Sequence, residues 1–379
     1  MKKIPYGHQT INNADINQVI KILKSDWVTQ GPTVEKFENA MAKYVGSKYA
    51  VAVSSGTAAL HAACFATGIK NGDEVIVPSM SFAASANCVC YLGARPILCD
   101  VDYVSGNINV DQAKKLITKK TKAIIGVDFA GQPANWDKIK KLAQDYNLAT
   151  IDDAAHSLGS LYKNKKIGSI SDLTTFSFHP VKSITTGEGG MIVTSDKNFY
   201  ERLKIFITHG ITKDPAKLIK NDGGWYYEMQ ELGYNYRLTD FQAALGLSQL
   251  KKINKFIKRR RAIVKIYNDA FSKLENIEIP KETNDVYSAW HIYPLKIKVK
   301  DLKQKKEVYG SFHSKKIGVQ VHYIPIHLQP YYKKTFGYKE GNFPNAEKFY
   351  LEEFSLPLFP NLTSNQIKHI IRTIKEIKL

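Results

Sequence analysis

The chain has 379 residues, of which 44% are hydrophobic and 23% charged, proportions of an ordinary globular protein. They exclude a disordered tail and a collagen-like fibre, and a chain of this length buries enough surface to fold without disulfide staples. Lys and Arg total 54 against 35 Asp and Glu, a formal charge of +19.

Lys2 and Lys3 are followed by Ile-Pro-Tyr-Gly, not by an apolar run, so no secretory leader is expected. Residues 13–26 carry an amphipathic period and predict a helix packed on a sheet domain or on a partner. From about residue 48 to 195, β-branched runs alternate with helical patterns. Strands are predicted at 50–53, 74–77, 97–101, 123–127, 148–152, 174–178 and 191–194, and helices at 57–66, 83–92, 110–117 and 136–146. That alternation predicts an α/β fold with a mostly parallel central sheet covered on both faces. Residues 238–274 read as one long helix interrupted only by Gly246. Beyond it, strands near 290–298 and 319–323 and helices at 302–316 and 365–377 predict a smaller α+β unit. The expected division is a large α/β domain over 1–250, then the connecting helix and small C-terminal domain over 251–379.

The positive charge is mostly lysine: 47 Lys against seven Arg, spread along the chain. Its densest run, Lys251 to Arg261, reads as a solvated helix face. The competing reading is an anion-binding strip, but no nucleic-acid-binding motif surrounds it. Cys64, Cys88, Cys90 and Cys99 all sit in apolar segments, and Cys88-Val89-Cys90 is too tight for a zinc site. Free buried thiols, no metal and a reducing compartment are expected. No apolar run is long enough to span a bilayer, so a cytoplasmic protein without membrane partners is expected.

Three stretches carry chemistry. Phe176-Ser-Phe-His-Pro-Val-Lys182 runs from a buried strand into a glycine-rich loop ending at Gly190. An ammonium group there resists desolvation, so its pKa falls and the amine becomes a nucleophile toward carbonyls. Ser54-Ser-Gly-Thr-Ala58 is a strand-to-helix turn whose first free N–H groups suit a phosphate. Neither a GxGxxG fingerprint nor a GK[ST] motif is present, which speaks against dinucleotides and ATP. Ile151-Asp152-Asp153-Ala-Ala-His156 ends a strand, where α/β sheets place their ligands. A carboxylate there either caps a helix or faces a ligand. Opposite a pyridine nitrogen it keeps the ring protonated, the electron sink that pyridoxal phosphate chemistry requires. Phosphate turn, carboxylate and lysine along one sheet specify that cofactor together far more tightly than any one does.

With these motifs the chain resembles the DegT/DnrJ/EryC1/StrS family of nucleotide-sugar aminotransferases, which depend on pyridoxal phosphate. The likeness runs from Ile4-Pro-Tyr-Gly to Ser355-Leu-Pro357, nearly the whole chain. Trp27-Val-Thr-Gln-Gly31, residues 176–190 and residues 225–240 look most like one branch, the UDP-4-amino-4,6-dideoxy-N-acetyl-β-L-altrosamine transaminases of pseudaminic acid biosynthesis. The resemblance implies fold type I of the pyridoxal-phosphate-dependent transferases, aspartate-aminotransferase-like. It implies that Lys182 attaches the cofactor covalently and that Asp153 is the pyridinium partner. Asp152 is the competing choice, decided by the three-residue spacing to His156, which is expected beside the ring. Gly56, Thr57, Ala58 and Ser177 match the phosphate cup. Phe82 matches the aromatic that stacks on the ring, unless it is a core phenylalanine. Asn235 matches a residue reaching the phosphate from a neighbouring subunit, which implies a homodimer with shared sites. Thr29, Gln30, His322, Tyr323 and His327 are candidate sugar contacts, the histidines alternatively structural.

The implied reaction takes an amino group from L-glutamate to C4 of a UDP-linked 4-keto-6-deoxy-N-acetylhexosamine. Alternatives are another keto sugar, of the perosamine, bacillosamine or 4-amino-arabinose type, or a sugar dehydratase. The dehydratase branch carries histidine in place of lysine, so Lys182 favours transamination. A non-catalytic basic regulator of the same fold is the reading from a different class.

Overall fold

The computed structural model of the chain describes residues 2–377. Seven strands build the central sheet: β1 (Tyr49–Val53), β2 (Glu74–Pro78), β3 (Arg95–Cys99), β4 (Thr121–Val127), β5 (Ala149–Asp153), β6 (Leu173–Ser177) and β7 (Gly190–Thr194). Their spatial order is β1-β7-β6-β5-β4-β2-β3. Only β7 runs against the others, antiparallel to β1 and to β6. The remaining neighbours pair in parallel. Helices cover both faces, so most strand residues are buried, and the strands read as near-continuous apolar runs.

The covering helices are α1 (Asn13–Leu23), α2 (Pro32–Val45), α3 (Gly56–Ala66), α4 (Ala84–Cys90), α5 (Val110–Lys115), α6 (Trp136–Tyr146) and α7 (Lys197–Phe206). Local signals start several of them. Asn12 and Asp15 form a capping box on α1, Ser55 caps α3 and Asn135 caps α6. Helix α2, which the sequence patterns do not predict, opens on Pro32 and ends at Gly46 with φ +80°. Its cap comes from far away: the Asp240 carboxylate accepts the N–H groups of Gly31 at 2.7 Å and Thr33 at 2.8 Å.

The long helix expected over 238–274 is two helices, α8 (Asp240–Leu250) and α9 (Ile253–Phe271). Gly246 does not interrupt α8; it makes room for the Phe37 ring, which a Cβ there would meet at 2.6 Å. The turn falls at Lys251–Lys252, where α1 is anchored. Buried Asp15 accepts from Lys252 Nζ and, at 2.9 Å, from Gln249 Nε2. Helix α9 serves both units: Ile253 and Ile257 join the core under the sheet, and Ile263, Val264 and Tyr267 join that of the C-terminal unit.

The C-terminal unit has a three-stranded sheet of β8 (Ile277–Glu278), β9 (Tyr293–Ile297) and β10 (Glu353–Leu356), with β9 central. Around it lie α10 (Leu302–Ser314), α11 (Pro344–Glu352) and α12 (Ser364–Glu376). The strand expected over 319–323 is absent. Gln320 makes a single bridge to Ser355, and the His322 N–H goes to the Glu353 carboxylate at 2.8 Å. Ile4 pairs with Ile317 and is buried in this unit's core, although its number falls within 1–250. Among the described residues no helix is long and apolar enough to cross a membrane.

Candidate active site

The C-terminal ends of β4, β5 and β6 meet the start of α3 and a loop of the C-terminal unit around a cavity of about 670 Å³. This is where a parallel sheet leaves its strand ends open to a ligand.

One end of the cavity suits an anion. Ser55 Oγ accepts the Ala58 N–H at 3.1 Å, which caps α3, while Gly56 and Thr57 line the cavity beside Ser177. Ala58 itself is buried behind the wall, its amide taken by that cap. The turn is held by close backbone approach. A Cβ on Gly190 would lie 2.4 Å from the Ser55 carbonyl oxygen and 2.9 Å from Gly56 N. Gly190→Ala should therefore push β7 off the turn and destabilise the protein by about 3 kcal/mol. Chemical denaturation checks this, and an unchanged midpoint would show that the contact can relax.

The chemistry sits at the strand ends. Asp153 Oδ2 accepts from Ser85 Oγ at 2.6 Å, Ser85 is bonded to Ser81 at 2.6 Å, and Asp153 Oδ1 accepts from Ala155 N at 3.3 Å. Burial pushes its carboxyl up, while Ser85, Lys182 and Ala155 hold it down. Asp152 points to the other face of β5, as strand alternation requires. It is fully buried, with no hydrogen-bond partner for either oxygen among the described residues. Burial, then Asp128 and Asp153, push it well above the usual carboxylate range. Asp153 alone of the pair faces the cavity.

Lys182 follows β6 in a turn closed by its N–H to the His179 carbonyl at 2.9 Å. Burial lowers its ammonium pKa to about 8, against the pull of Asp153. Phe82 stands 59% exposed on the cavity wall, so it is not a core residue. Its ring lies 5.9 Å from that of Tyr323. His156 Nδ1 accepts the Ala130 N–H at 3.3 Å, and its Nε2 meets the Tyr323 hydroxyl at 3.1 Å.

The cavity thus brings together Gly56, Thr57, Phe82, Asp153, His156, Ser177, Lys182, His322 and Tyr323. Other candidates lie elsewhere in this chain. His327 is a correction: it is buried against Glu347 at 2.8 Å and the Phe343 ring at 4.7 Å, and does not line the cavity. Thr29, Gln30 and Asn235 are exposed and lie outside the cavity wall. Sequence reading missed Tyr6, Ser81, Ser85 and His291. His291 lies at the start of β9's approach, its N–H on the Ala130 carbonyl at 3.0 Å and its Nδ1 buried without a partner among the described residues. An imidazole in an apolar run gave no sign of that position.

The residues fit a phosphorylated pyridine aldehyde. There is a helix start for the phosphate, an aromatic face, a carboxylate at depth and a lysine whose ammonium pKa burial has lowered.

A model of the DegT/DnrJ/EryC1/StrS aminotransferase family matches residues 9–375. The chain is 46% identical over 375 residues to an uncharacterized protein of Methanocaldococcus jannaschii, covering 99% of this chain and 97% of that one. It is 39% identical over 377 residues to a UDP-4-amino-4,6-dideoxy-N-acetyl-beta-L-altrosamine transaminase of Campylobacter jejuni, with 99% and 97% covered. Among solved structures, Helicobacter pylori PseC, an aminotransferase involved in the biosynthesis of pseudoaminic acid, superposes with a TM-score of 0.92 at 32% identity, covering 99% of both chains.

Proposed function

Because the chain belongs to the DegT/DnrJ/EryC1/StrS aminotransferase family, we propose that it transfers an amino group from L-glutamate to C4 of a UDP-linked 4-keto-6-deoxy-N-acetylhexosamine. The observation that carries this reading is Lys182, a lysine in the position where a sugar dehydratase of the family would have histidine, held with Asp153 on one cavity wall. The likeness to the altrosamine transaminase of Campylobacter jejuni and to PseC supports the choice of sugar.

Pyridoxal phosphate, when bound, supplies the aldehyde that receives the amino group and a ring that accepts the electron pair of a breaking Cα–H bond. The protein does the rest. Gly56, Thr57 and Ser177 bind the phosphate, and the Phe82 face supports the ring. The Asp153 carboxylate holds the proton on the ring nitrogen, and His156 lies beside the ring. Lys182 holds the cofactor at rest. Its freed amine would then take a proton from the donor's Cα and return it to the carbon on the far side of the nitrogen, two bonds away, as base and then acid. The reverse sequence on the keto sugar places a hydrogen and the amine on C4.

The large apolar side chains Ile219, Trp225, Met229, Leu232 and Trp27 are each more than half exposed, and an interface between two copies would cover such side chains. They support a homodimer in which Asn235, Thr29 and Gln30 serve the partner's cavity. The free cysteines support a cytoplasmic location, which cell fractionation checks.

The test is incubation of the holoenzyme with L-glutamate and a panel of nucleotide-linked 4-keto sugars, with product stereochemistry read by NMR. A UDP-linked 4-amino sugar is expected, and the same preparation should sediment at twice the chain mass. Turnover confined to a GDP-linked sugar would move the assignment to the perosamine type. Loss of a sugar hydroxyl without amine transfer would establish the dehydratase.

A further inference from the structure

Behind the cavity two hydrogen-bonded chains each end on a residue of the loop that faces it. One begins at Ala130, held in the left-handed region with φ 59°. Its N–H donates to His156 Nδ1, so the single proton of the neutral ring sits on Nε2 and is given to the Tyr323 oxygen. The tyrosine's own hydrogen is then free for a ligand. Burial keeps both groups neutral, His156 pushed down and Tyr323 pushed up.

The other chain begins at Glu353, buried in β10. Its Oε2 accepts the His322 N–H at 2.8 Å. Its Oε1 accepts from Ser355 Oγ at 2.5 Å, and Ser355 Oγ meets His322 Nδ1 at 2.8 Å. With its hydrogen committed to the carboxylate, Ser355 Oγ can only accept. His322 must then carry its proton on Nδ1, and Nε2 is left bare. Nε2 has no partner among the described residues, and the ring lines the cavity.

We propose that Glu353 and Ser355 are positioning residues that fix this tautomer, so that His322 and Tyr323 offer an acceptor and a donor side by side to a ketone and its neighbouring hydroxyl. The ketone oxygen takes the Tyr323 hydrogen, and the hydroxyl donates to His322 Nε2. The choice of ligand rests on the keto-sugar reading above; the tautomer does not.

The groups facing this chain are Lys305 on α10, Tyr6 and the neighbouring Tyr323 against the His322 ring, His156 with its ring 6.3 Å away, His291 beside His156, and Lys182 across the cavity. Burial holds His322 down to about 3, with Lys182 adding to the effect, so the ring is neutral at any working pH. Glu353 is pushed up to about 7 by burial, against Ser355, Lys305 and the His322 N–H. Above that pH the chain runs as described. Below it a proton on Oε1 donates to Ser355, Ser355 donates to Nδ1, and Nε2 becomes a donor.

Glu353→Gln should impose the reversed state at every pH. The His322 N–H demands the amide oxygen, which turns the NH₂ toward Ser355. NMR of the full chain labelled with ¹⁵N-histidine reads this directly, the His322 signals being assigned by their loss in His322→Gln. At pH 8 the native chain should carry the proton on Nδ1 and Glu353→Gln on Nε2. Ser355→Ala, which cuts the chain without altering Glu353, should give a mixture. Nε2–H in the native chain at pH 8, or an unchanged tautomer in Glu353→Gln, overturns the proposal.

In turnover, Glu353→Gln should raise KM for the keto sugar about tenfold or more, the cost of a donor meeting a donor, while the glutamate half-reaction stays within about twofold. An analogue lacking the hydroxyl beside the ketone should not feel the substitution. An equal penalty on that analogue overturns the hydroxyl contact. Absence of turnover with every keto sugar would sink the proposed reaction and leave the NMR result to decide the tautomer.

Discussion

Lys182→Ala is expected to lower turnover by about 10⁴-fold or more, because one amine is both the attachment point of the cofactor and the group that moves the proton. The visible absorption of the loaded protein should disappear, while the fold, judged by circular dichroism, stays intact. Lys182→Arg should not rescue it, since a guanidinium stays charged and cannot take up a proton. A small exogenous amine should restore part of the proton transfer. The pH dependence has a definite sign. Burial lowers the ammonium pKa to about 8, so capture of the aldehyde by cofactor-free protein should rise with pH through about 8 and then level off. A variant that keeps turnover within tenfold of the native enzyme would remove Lys182 from the mechanism.

The sheet was legible because strands buried on both faces read as short runs rich in apolar and β-branched residues, and six of the seven share one direction. Its one antiparallel strand, β7, carried no distinguishing pattern. Elements failed to show where their cause lies far off in sequence. Helix α2 is capped by Asp240, and the corner between α8 and α9 is set by Asp15. Apolar alternation at 319–323 looked like a strand, yet the N–H of His322 is spent on a carboxylate. The site followed the same division. Lys182, Asp153 and the Ser55–Thr57 turn stand in contiguous motifs at strand ends, so the sequence singles them out as candidates, and all three motifs line the cavity. Ser85, His291, Glu353 and Ser355 act by meeting other residues across the fold, and a lone buried polar side chain carries no period. His327 misled for the same reason, since an imidazole paired with Glu347 looks in sequence like one facing a ligand.

Asp153→Asn keeps the shape of the side chain and removes its charge, and its expected cost is about 10²–10⁴-fold in turnover. The carboxylate's task is to favour a proton on the ring nitrogen opposite, which an amide does with far less electrostatic force in a site closed to water. Loss of packing is not the cause. Ser85 remains next to Ser81 at 2.6 Å and can turn its hydroxyl there, accepting from the new amide. The cofactor-free protein gives a second, independent readout. Asp153 is the group that pulls the Lys182 pKa upward against burial. Without that charge, burial acts unopposed by it, and the midpoint for aldehyde capture should fall below about 8. Turnover and midpoint should therefore move together in Asp153→Asn. In Asp152→Asn, on the opposite face of β5 and away from the cavity, neither should move. A midpoint that stays at about 8 in Asp153→Asn would mean that carboxylate and amine do not sense one another, and the cavity could not work as described.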